Sequence, residues 1–317
     1  MVSPEGRRYP VVKGIPVMLI PNVEQTLWVA SASLTAAAHP TADDPYFLET
    51  LGVSDVERAS IRQFVEARGV DTHMDPVVTW IVAQTNGLAY RKLVGTLTEY
   101  PIPDLRLPNG RGELLLDVGS NWGRWSVAAA LKGYRPVGLD PSLGAVLAMK
   151  RVADRFNVEI RGVVGDARYL PFRDGLFDVG FSYGVLQHFR PADAAKAVSE
   201  FGRVLKSGGA CLVQMPTTFG LRCLYNQLRR GFRKPRGFEV RYYTIPALRR
   251  LFGSAIGITR VSVHCFFGIG WEASDRKFLG PFLRLVLAAS ELLSAISRRF
   301  SLLRYLADSV YVAGRKP

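Results

Sequence analysis

Short apolar runs alternate with amphipathic stretches through the middle of the chain. Five of these runs are too short for helices and are bounded by Gly, Pro or Asp: residues 113–118, 136–139, 158–164, 177–182 and 210–215. Between the last two runs, residues 191–205 place apolar side chains at helical spacing. Strands that alternate with helices in this way predict an α/β fold, with a parallel sheet covered on both faces by helices.

The N-terminal part follows a different pattern. Residues 7–20 alternate Val, Ile and Leu around a glycine and a proline, which predicts a short hairpin. Capping signals at Ser54 and Asp75 predict two helices, over about 54–68 and 76–97. Residues 100–112 contain three prolines and an Asn-Gly-Arg-Gly run, which is typical of a linker. We therefore expect a hairpin and helical extension over 1–107, followed by a domain over 108–317.

A glycine-containing turn follows the first strand of the α/β region. Asp117 lies near the end of this strand, and the turn carries Gly119, Asn121 and Gly123 before a predicted helix. Such a turn lets the backbone approach a ligand at the carboxyl end of a strand. A dinucleotide fingerprint would require glycines in place of Asn121 and Arg124, and a carboxylate here would repel a pyrophosphate. A ligand with a cationic amino-acid end fits better, and S-adenosylmethionine is such a ligand.

These residues resemble the first motif of the class I S-adenosylmethionine-dependent methyltransferases, particularly the type-11 group. Asp117, Gly119 and Gly123 match the family pattern, and Asn121 replaces its middle glycine. Asparagine tolerates a left-handed backbone better than most residues that carry a Cβ. The resemblance implies a doubly wound, seven-stranded, mostly parallel sheet of the Rossmann-like methyltransferase fold. It also implies that the sheet ends in an antiparallel strand pair over 257–267 and 309–315.

The resemblance further implies S-adenosyl-L-methionine as the cofactor and assigns residues to it. Asp140, at the end of the second strand, would hold both ribose hydroxyls, and Asp166 with Ala167 would meet the adenine. Ser182 belongs to the matching fourth-strand segment, and residues 203–209 resemble the turn before the fifth strand. Taken singly, Asp140 could instead be a helix N-cap and Asp166 a turn residue.

Methyl transfer from a sulfonium requires the protein mainly to position the acceptor and, where needed, to remove its proton. The candidates for this role are His188 and Tyr183, just after the fourth strand. The alternative is that His188 caps the next helix or lines the cofactor pocket. His264 and His73 have no supporting constellation, and no His, Cys or carboxylate cluster has metal-ligand spacing, so we expect no metal.

Composition narrows the class of protein. The residues are 48% hydrophobic and 21% charged, which excludes wholesale disorder. The three cysteines are widely spaced, which excludes a disulfide framework and suits a reducing compartment. We see no signal peptide and no window of about 18 uncharged apolar residues, so a cytoplasmic location is expected.

The positive charge is concentrated in the last third of the chain. Residues 219–317 hold 18 of the 41 Lys and Arg residues but 5 of the 27 Asp and Glu residues. A substrate-side segment over 217–250 interleaves arginines with aromatic residues, which suits phosphate or carboxylate groups or forms a solvated basic face. A predicted helical insertion over 271–308 carries an apolar face that packs on the protein or contacts an anionic membrane from the periphery. Its residues are Phe282, Leu283, Val286, Leu292, Leu293 and Ile296.

The sequence thus predicts a methyltransferase that acts on an anionic or lipid-linked small-molecule acceptor. Two alternatives remain open. One is an RNA methyltransferase, since aromatic residues lie among the arginines, although no RNA-binding module signature is present. The other is a catalytically silent protein that keeps the methyltransferase fold. The acceptor, the methylated atom and the oligomeric state are not determined by the sequence.

Overall fold

The structure is a computed structural model. It describes residues 6–25, 27–38, 59, 63, 74, 75, 78, 79, 81, 82, 97, 99–257, 259–268, 270 and 272–317. The helices predicted over 54–68 and 76–97 lie, apart from isolated positions, outside the described residues, as does His73. The chain forms two compact units: Met1–Gly112 with Gly119–Asp166, and Glu113–Val118 with Ala167–Pro317.

The described elements are numbered in chain order. The strands are β1 (Val11–Val12), β2 (Ile15–Pro16), β3 (Leu114–Val118), β4 (Arg135–Asp140), β5 (Arg161–Val164), β6 (Phe177–Tyr183), β7 (Leu205–Pro216), β8 (Thr259–Cys265) and β9 (Ser309–Arg315). The α-helices are α1 (Trp28–Ala38), α2 (Arg124–Leu131), α3 (Leu143–Arg155), α4 (Pro191–Val204), α5 (Leu221–Arg229), α6 (Ile245–Ile256) and α7 (Pro281–Arg299). Short 3₁₀-helices span Leu186–His188, Ala273–Phe278 and Ser301–Leu306.

Strands β3 to β9 form one seven-stranded sheet in the order β5-β4-β3-β6-β7-β9-β8. The pairs β3 with β6, β4 with β5, and β6 with β7 are parallel. Strand β9 runs antiparallel to both β7 and β8. The predicted fold class is therefore confirmed, including the closing antiparallel pair.

In the first unit, the predicted N-terminal hairpin packs on α3 and β5. Val12 pairs with Ile15 across the β1–β2 turn. Just after β2, the amide of Met18 donates to the carbonyl of Val164 in β5, over 2.7 Å. Helix α1 is held through Ser33, whose hydroxyl accepts from the amide of Leu143 at the start of α3. The hairpin, α1, α3 and β5 share one hydrophobic core.

Residues 100–112 have no regular secondary structure, but they are not a free linker. Tyr100 and Leu105 are buried. The carbonyl of Pro101 accepts a hydrogen bond from Arg124 Nε, and the hydroxyl of Tyr134 donates to the carbonyl of Pro108. The prolines prevent a helix or strand here, while the side chains and carbonyls still pack on the first unit.

In the second unit, α4 begins at Pro191, as predicted, and buries the expected face. Strand β7 begins at Leu205 rather than at residue 210, because Leu205 already pairs with Phe177 of β6. The register then shifts before Ala210 pairs with Val179. The predicted turn over 203–209 is thus partly an irregular start of the strand.

The described residues contain no helix that is both long enough and apolar enough to cross a membrane. The three cysteines are buried and unpaired.

Candidate functional site

The glycine turn after β3 is the first feature of the candidate site in the first unit. The amides of Gly119 and Ser120 both donate to the carbonyl of Leu139, over 2.7 and 3.1 Å. Gly119, Asn121 and Gly123 all have positive φ angles, of 78°, 48° and 89°. Asn121 therefore adopts the left-handed conformation expected of the residue that replaces the middle glycine. A Cβ on Gly123 would meet the side chain of Met149, so this position requires glycine for packing as well.

Asp140 ends β4 directly beside this turn. Its Oδ2 accepts a hydrogen bond from the amide of Asn121 over 3.0 Å, and its Oδ1 accepts from the amide of Ser142 over 2.9 Å. Burial raises the pKa of Asp140 to about 6, although both amides favour the ionised form. The side chain that caps α3 is Ser142, not Asp140. Each carboxylate oxygen accepts one of these bonds and keeps capacity for a second donor.

Ser120 was not singled out by the sequence. Its hydroxyl is buried and has no hydrogen-bond partner among the described residues. A buried polar group without a partner costs roughly 1–3 kcal/mol, so a ligand that supplies a partner would recover this energy. The orphaned hydroxyl lies between Gly119 and Asn121, where the sequence predicts cofactor binding. No sequence motif marks it, because its isolation depends on the fold of the turn.

The loop after β5 carries the next predicted residue, Asp166. The amide of Gly165 donates to the carbonyl of Asp140 over 3.0 Å, which ties the start of this loop to the end of β4. Asp166 and Ala167 are both buried. The structure therefore joins Asn121, Asp140 and the loop leading to Asp166 within the first unit.

Asp117 and Ser182 lie on neighbouring strands of the second unit. Asp117 is opposite Phe181, and Val118 is opposite Ser182. Asp117 is buried, and the hydroxyl of Ser182 donates to the carbonyl of Val118 over 2.9 Å. The Ser182 hydroxyl thus serves to join β6 to β3.

His188 ends the 3₁₀-helix that follows β6. Its Nδ1 lies 2.6 Å from the carbonyl oxygen of Phe238, which can only accept, so Nδ1 carries the hydrogen. Its Nε2 lies 3.2 Å from the side-chain nitrogen of Gln187, and the ring stacks on Phe238. Burial lowers the pKa of His188, so the ring is neutral near pH 7. Both ring nitrogens have hydrogen-bond partners, and the bond to Phe238 attaches the substrate-side segment over 217–250, called the basic segment below, to the 3₁₀-helix after β6.

Tyr183, the last residue of β6, meets a buried ionisable array. Its hydroxyl donates to the carbonyl of Gly270 over 3.1 Å and lies 3.3 Å from Nε2 of His264. His264 Nε2 is 2.8 Å from Glu272 Oε1, and its Nδ1 is 2.6 Å from the Ser309 hydroxyl.

Two opposing effects act on the charge of His264. Burial lowers its pKa, but the interactions with Cys265 and Glu272 outweigh this and raise the pKa to about 9. At neutral pH the ring is therefore an imidazolium that donates from both nitrogens. The expectation that His264 has no supporting constellation is wrong. Its partners come from β9 and from the segment after β8, so no local sequence spacing could show them.

A comparison with protein families covers the region that contains Asp117, Asp140 and Asp166. Residues 116–213 match the family model described as a methyltransferase domain. This chain carries a class I methyltransferase domain. The match confirms the predicted family and S-adenosylmethionine as the cofactor of the domain.

Several relatives of the methyltransferase domain carry a functional name. A demethylmenaquinone methyltransferase of Renibacterium salmoninarum is 37% identical over 120 residues, which are 37% of this chain and 48% of that protein. An uncharacterised methyltransferase of Synechocystis is 32% identical over 131 residues, 41% of this chain and 59% of its own length. The chain thus spans about half the length of the curated relatives it matches.

One of the similar solved structures is phosphoethanolamine N-methyltransferase 2 of Haemonchus contortus, in complex with phosphomonomethylethanolamine and S-adenosylhomocysteine. Its TM-score is 0.49 at 19% identity, and the alignment covers 81% of this chain and 60% of that one.

The basic segment over 217–250 lies beyond the matched methyltransferase domain. Several of its arginines hold the segment together. Arg233 forms a two-point ion pair with Glu239, over 2.7 and 2.6 Å, and Arg230 donates to the carbonyl of Val240. Arg241 donates to the carbonyl of His188 over 2.7 Å. The arginine count of this segment therefore overstates the number of guanidinium groups that face a ligand.

Proposed function

We propose that this protein transfers a methyl group from S-adenosylmethionine to a lipid-linked small-molecule acceptor. The observation that carries the proposal is the buried Asp140 carboxylate held beside a left-handed turn within a methyltransferase domain. We further propose that the protein works at the surface of an anionic membrane, from the cytoplasmic side.

The residues predicted to bind the cofactor fit it chemically. Asp140 would accept from the two ribose hydroxyls, because each of its oxygens keeps capacity for a second donor. Ser120 would gain a partner for its orphaned hydroxyl. Asp166 and Ala167 would contact the adenine, and Asp117 would face the cationic amino-acid end. When bound, the cofactor supplies an electrophilic methyl group on a sulfonium.

Tyr183 and His188 would act on the acceptor side. The phenol of Tyr183 is held at the carboxyl end of β6 by the carbonyl of Gly270 and by His264. It would orient an acceptor oxygen or nitrogen and receive its hydrogen bond. His188 has both ring nitrogens occupied, so we propose that it positions the basic segment and does not remove a proton.

The acceptor class is supported by two lines. Demethylmenaquinone methyltransferase is the name of four relatives, 34–39% identical to this chain over the aligned residues. The second unit also exposes many large apolar side chains beside its excess of positive charge. Both suit an acceptor that reaches the site from a lipid phase.

A labelled-methyl assay tests the proposed function. The purified protein is incubated with methyl-labelled S-adenosylmethionine and, separately, with membrane lipids, RNA or protein from a bacterial extract. We expect label in the lipid fraction, its loss in Asp140→Ala, and its retention in Asp154→Ala, which removes an exposed carboxylate of α3. Label in RNA alone would support the RNA methyltransferase, and no label at all despite cofactor binding would support the silent protein.

A further inference from the structure

Helix α7, in the second unit, buries few of its side chains. Of its 19 residues, only Leu287 and Ser290 are buried. The Ser290 hydroxyl accepts a hydrogen bond from the amide of Phe266, just after β8. The apolar face predicted from the sequence is divided: Leu283, Val286 and Leu293 are half-buried, whereas Phe282, Leu292 and Ile296 are exposed.

The exposed apolar residues of α7 form one stripe. Phe282, Leu285 and Leu292 are 73%, 68% and 62% exposed, and Ile296 is also exposed. At about 100° per residue, these four side chains fall within an arc of about 80° on the helix surface. A helix that turned its apolar stripe inward would have buried these residues. Among the residues that the structure describes, nothing covers this stripe.

The apolar surface continues beyond α7. Phe300, Leu302 and Leu306 are exposed along the adjoining 3₁₀-helix, with Leu302 at 78%. The start of α5 is tied to the end of this segment, because the amide of Cys223 donates to Asp308 Oδ1 over 2.9 Å. Helix α5 contributes three more exposed apolar side chains: Leu221, Tyr225 and Leu228. Exposed apolar side chains gathered on adjoining elements mark an interaction site in soluble proteins.

The charges beside this surface decide which partner fits it. Arg284, Arg298 and Arg299 are exposed on α7, and the one acid of the helix, Glu291, pairs with Arg276 over 2.7 Å. Residues 219–317 hold 18 basic against 5 acidic residues. A second copy of this surface would be repelled by that charge, and RNA offers no partner for exposed leucines. An anionic bilayer satisfies both the apolar stripe and the positive charge.

We propose that α7, the 3₁₀-helix Ser301–Leu306 and α5 form a membrane-binding face. Phe282, Leu285, Leu292 and Ile296 enter the interfacial region of an anionic bilayer, and Arg299, which lies about 20° from the edge of the stripe, contacts a lipid phosphate. This inference rests on the proposed function for the reason that the protein would bind a membrane. The binding itself is a separate claim, which can be tested without methyl transfer. The contact is peripheral, with the helix lying in the plane of the interface.

Vesicle flotation tests the membrane-binding face. Vesicles of phosphatidylglycerol and phosphatidylcholine are compared with vesicles of phosphatidylcholine alone, for the wild type and for the double variant Leu285→Ser with Leu292→Ser. The matched control is Leu131→Ser, which removes an exposed leucine, 56% accessible, at the end of α2 in the first unit. We expect the wild type and the control to float with anionic vesicles, and the double variant to bind at least about tenfold more weakly. Salt should weaken binding of the wild type, because each basic residue near the surface contributes about fivefold.

Three results would overturn the membrane-binding face. They are failure of the wild type to float, equal flotation of the double variant, and a wild-type dimer that the double variant converts to a monomer without any vesicle binding. The affinity for S-adenosylmethionine and methyl transfer to a detergent-solubilised lipid extract are measured on the same variants. If methyl transfer fails while flotation holds, the proposed function is wrong and the membrane-binding face stands. If flotation fails while methyl transfer holds, the membrane-binding face is wrong and the proposed function stands.

Discussion

At the scale of single residues, Asp140 and His264 are both buried, but their partners give them different charges. Asp140 is surrounded by backbone amides, and burial dominates, so its pKa rises to about 6. His264 faces Glu272 and Cys265, and its interactions with them outweigh burial and raise its pKa to about 9. At pH 7 the solution is about one unit above the pKa of Asp140, so this carboxyl is mostly ionised. The pKa of His264 lies above pH 7, so this ring is cationic. The first residue is suited to binding donors, and the second to holding Tyr183.

The His264 imidazolium should make the stability of the protein depend on pH. Its pKa is raised in the folded state from the usual 6.5, so its contribution is fully present below about pH 6.5 and is lost as pH rises through about 9. We expect His264 to lower the free energy of unfolding of the wild type between pH 7 and 9.5, whereas the lowered pKa of Cys265 opposes this fall, so the net slope is smaller than about 1.4 kcal/mol per pH unit.

The His264→Asn variant provides the comparison. It should lack this part of the decline and should be about 3–5 kcal/mol less stable at pH 7, because the buried Glu272 carboxylate loses its cationic partner and keeps the hydrogen bond from the Asp275 amide. Denaturant unfolding at several pH values measures both quantities, and Glu272→Gln serves as a second variant if His264→Asn does not fold. Equal pH slopes in the wild type and in both variants would show that His264 is neutral in the folded protein.

At the scale of elements, strands and helices with one dominant pattern could be predicted closely. Helix α4 begins at the predicted residue because Pro191 suits the first helical turn, and β9 has the predicted bounds. Which side of α7 packs inward could not be predicted, because the helix carries apolar side chains around most of its circumference. The inward face carries Leu287 and Ser290, and the Ser290 hydroxyl accepts from the amide of Phe266, which directly follows β8.

Parts of the candidate site that depend on local patterns could be predicted, and parts that depend on contacts between separate elements could not. Asn121 and Asp140 belong to local strand-turn-helix patterns, so the sequence could predict their placement together. The partners of His264 lie on separate elements, and only the pairing of β8 with β9 brings Cys265 opposite Ser309. The isolation of the Ser120 hydroxyl is likewise a property of the folded turn.

The attachment of the basic segment to β6 through His188 gives a kinetic prediction. The His188→Ala variant removes the hydrogen bond to Phe238 and the stacked ring, so the basic segment should lose its position. We expect the KM for the acceptor to rise about tenfold, with kcat and its pH profile little changed. His188→Asn keeps a donor near the position of Nδ1 and should recover part of the loss.

The alternative role of His188 gives a different kinetic result. If His188 were a general base, kcat would fall by about a hundredfold or more, the basic limb of the pH profile would change, and His188→Asn would give no recovery. Steady-state kinetics on the two variants, over a range of pH, separates these outcomes.

At the scale of the whole molecule, charge and chemistry are distributed unequally along the chain. Residues 1–218 are nearly neutral, with 23 basic and 22 acidic residues, whereas residues 219–317 carry the excess positive charge. The predicted cofactor-binding residues lie in the first group, and the apolar and basic surface lies in the second. We expect this separation in a methyltransferase that binds its cofactor with one set of residues and takes its acceptor from a membrane with another.

The most direct test of this account is a calorimetric titration of S-adenosylmethionine into the wild type, Asp140→Ala and Asp154→Ala, at pH 7.5 and pH 5. We predict that Asp140→Ala binds the cofactor about ten- to a hundredfold more weakly at pH 7.5 and that Asp154→Ala binds as the wild type does. The wild type should lose about tenfold in affinity at pH 5, where Asp140 is mostly protonated, and Asp140→Ala should lose little. Equal affinity of the wild type and Asp140→Ala at pH 7.5 would contradict the account.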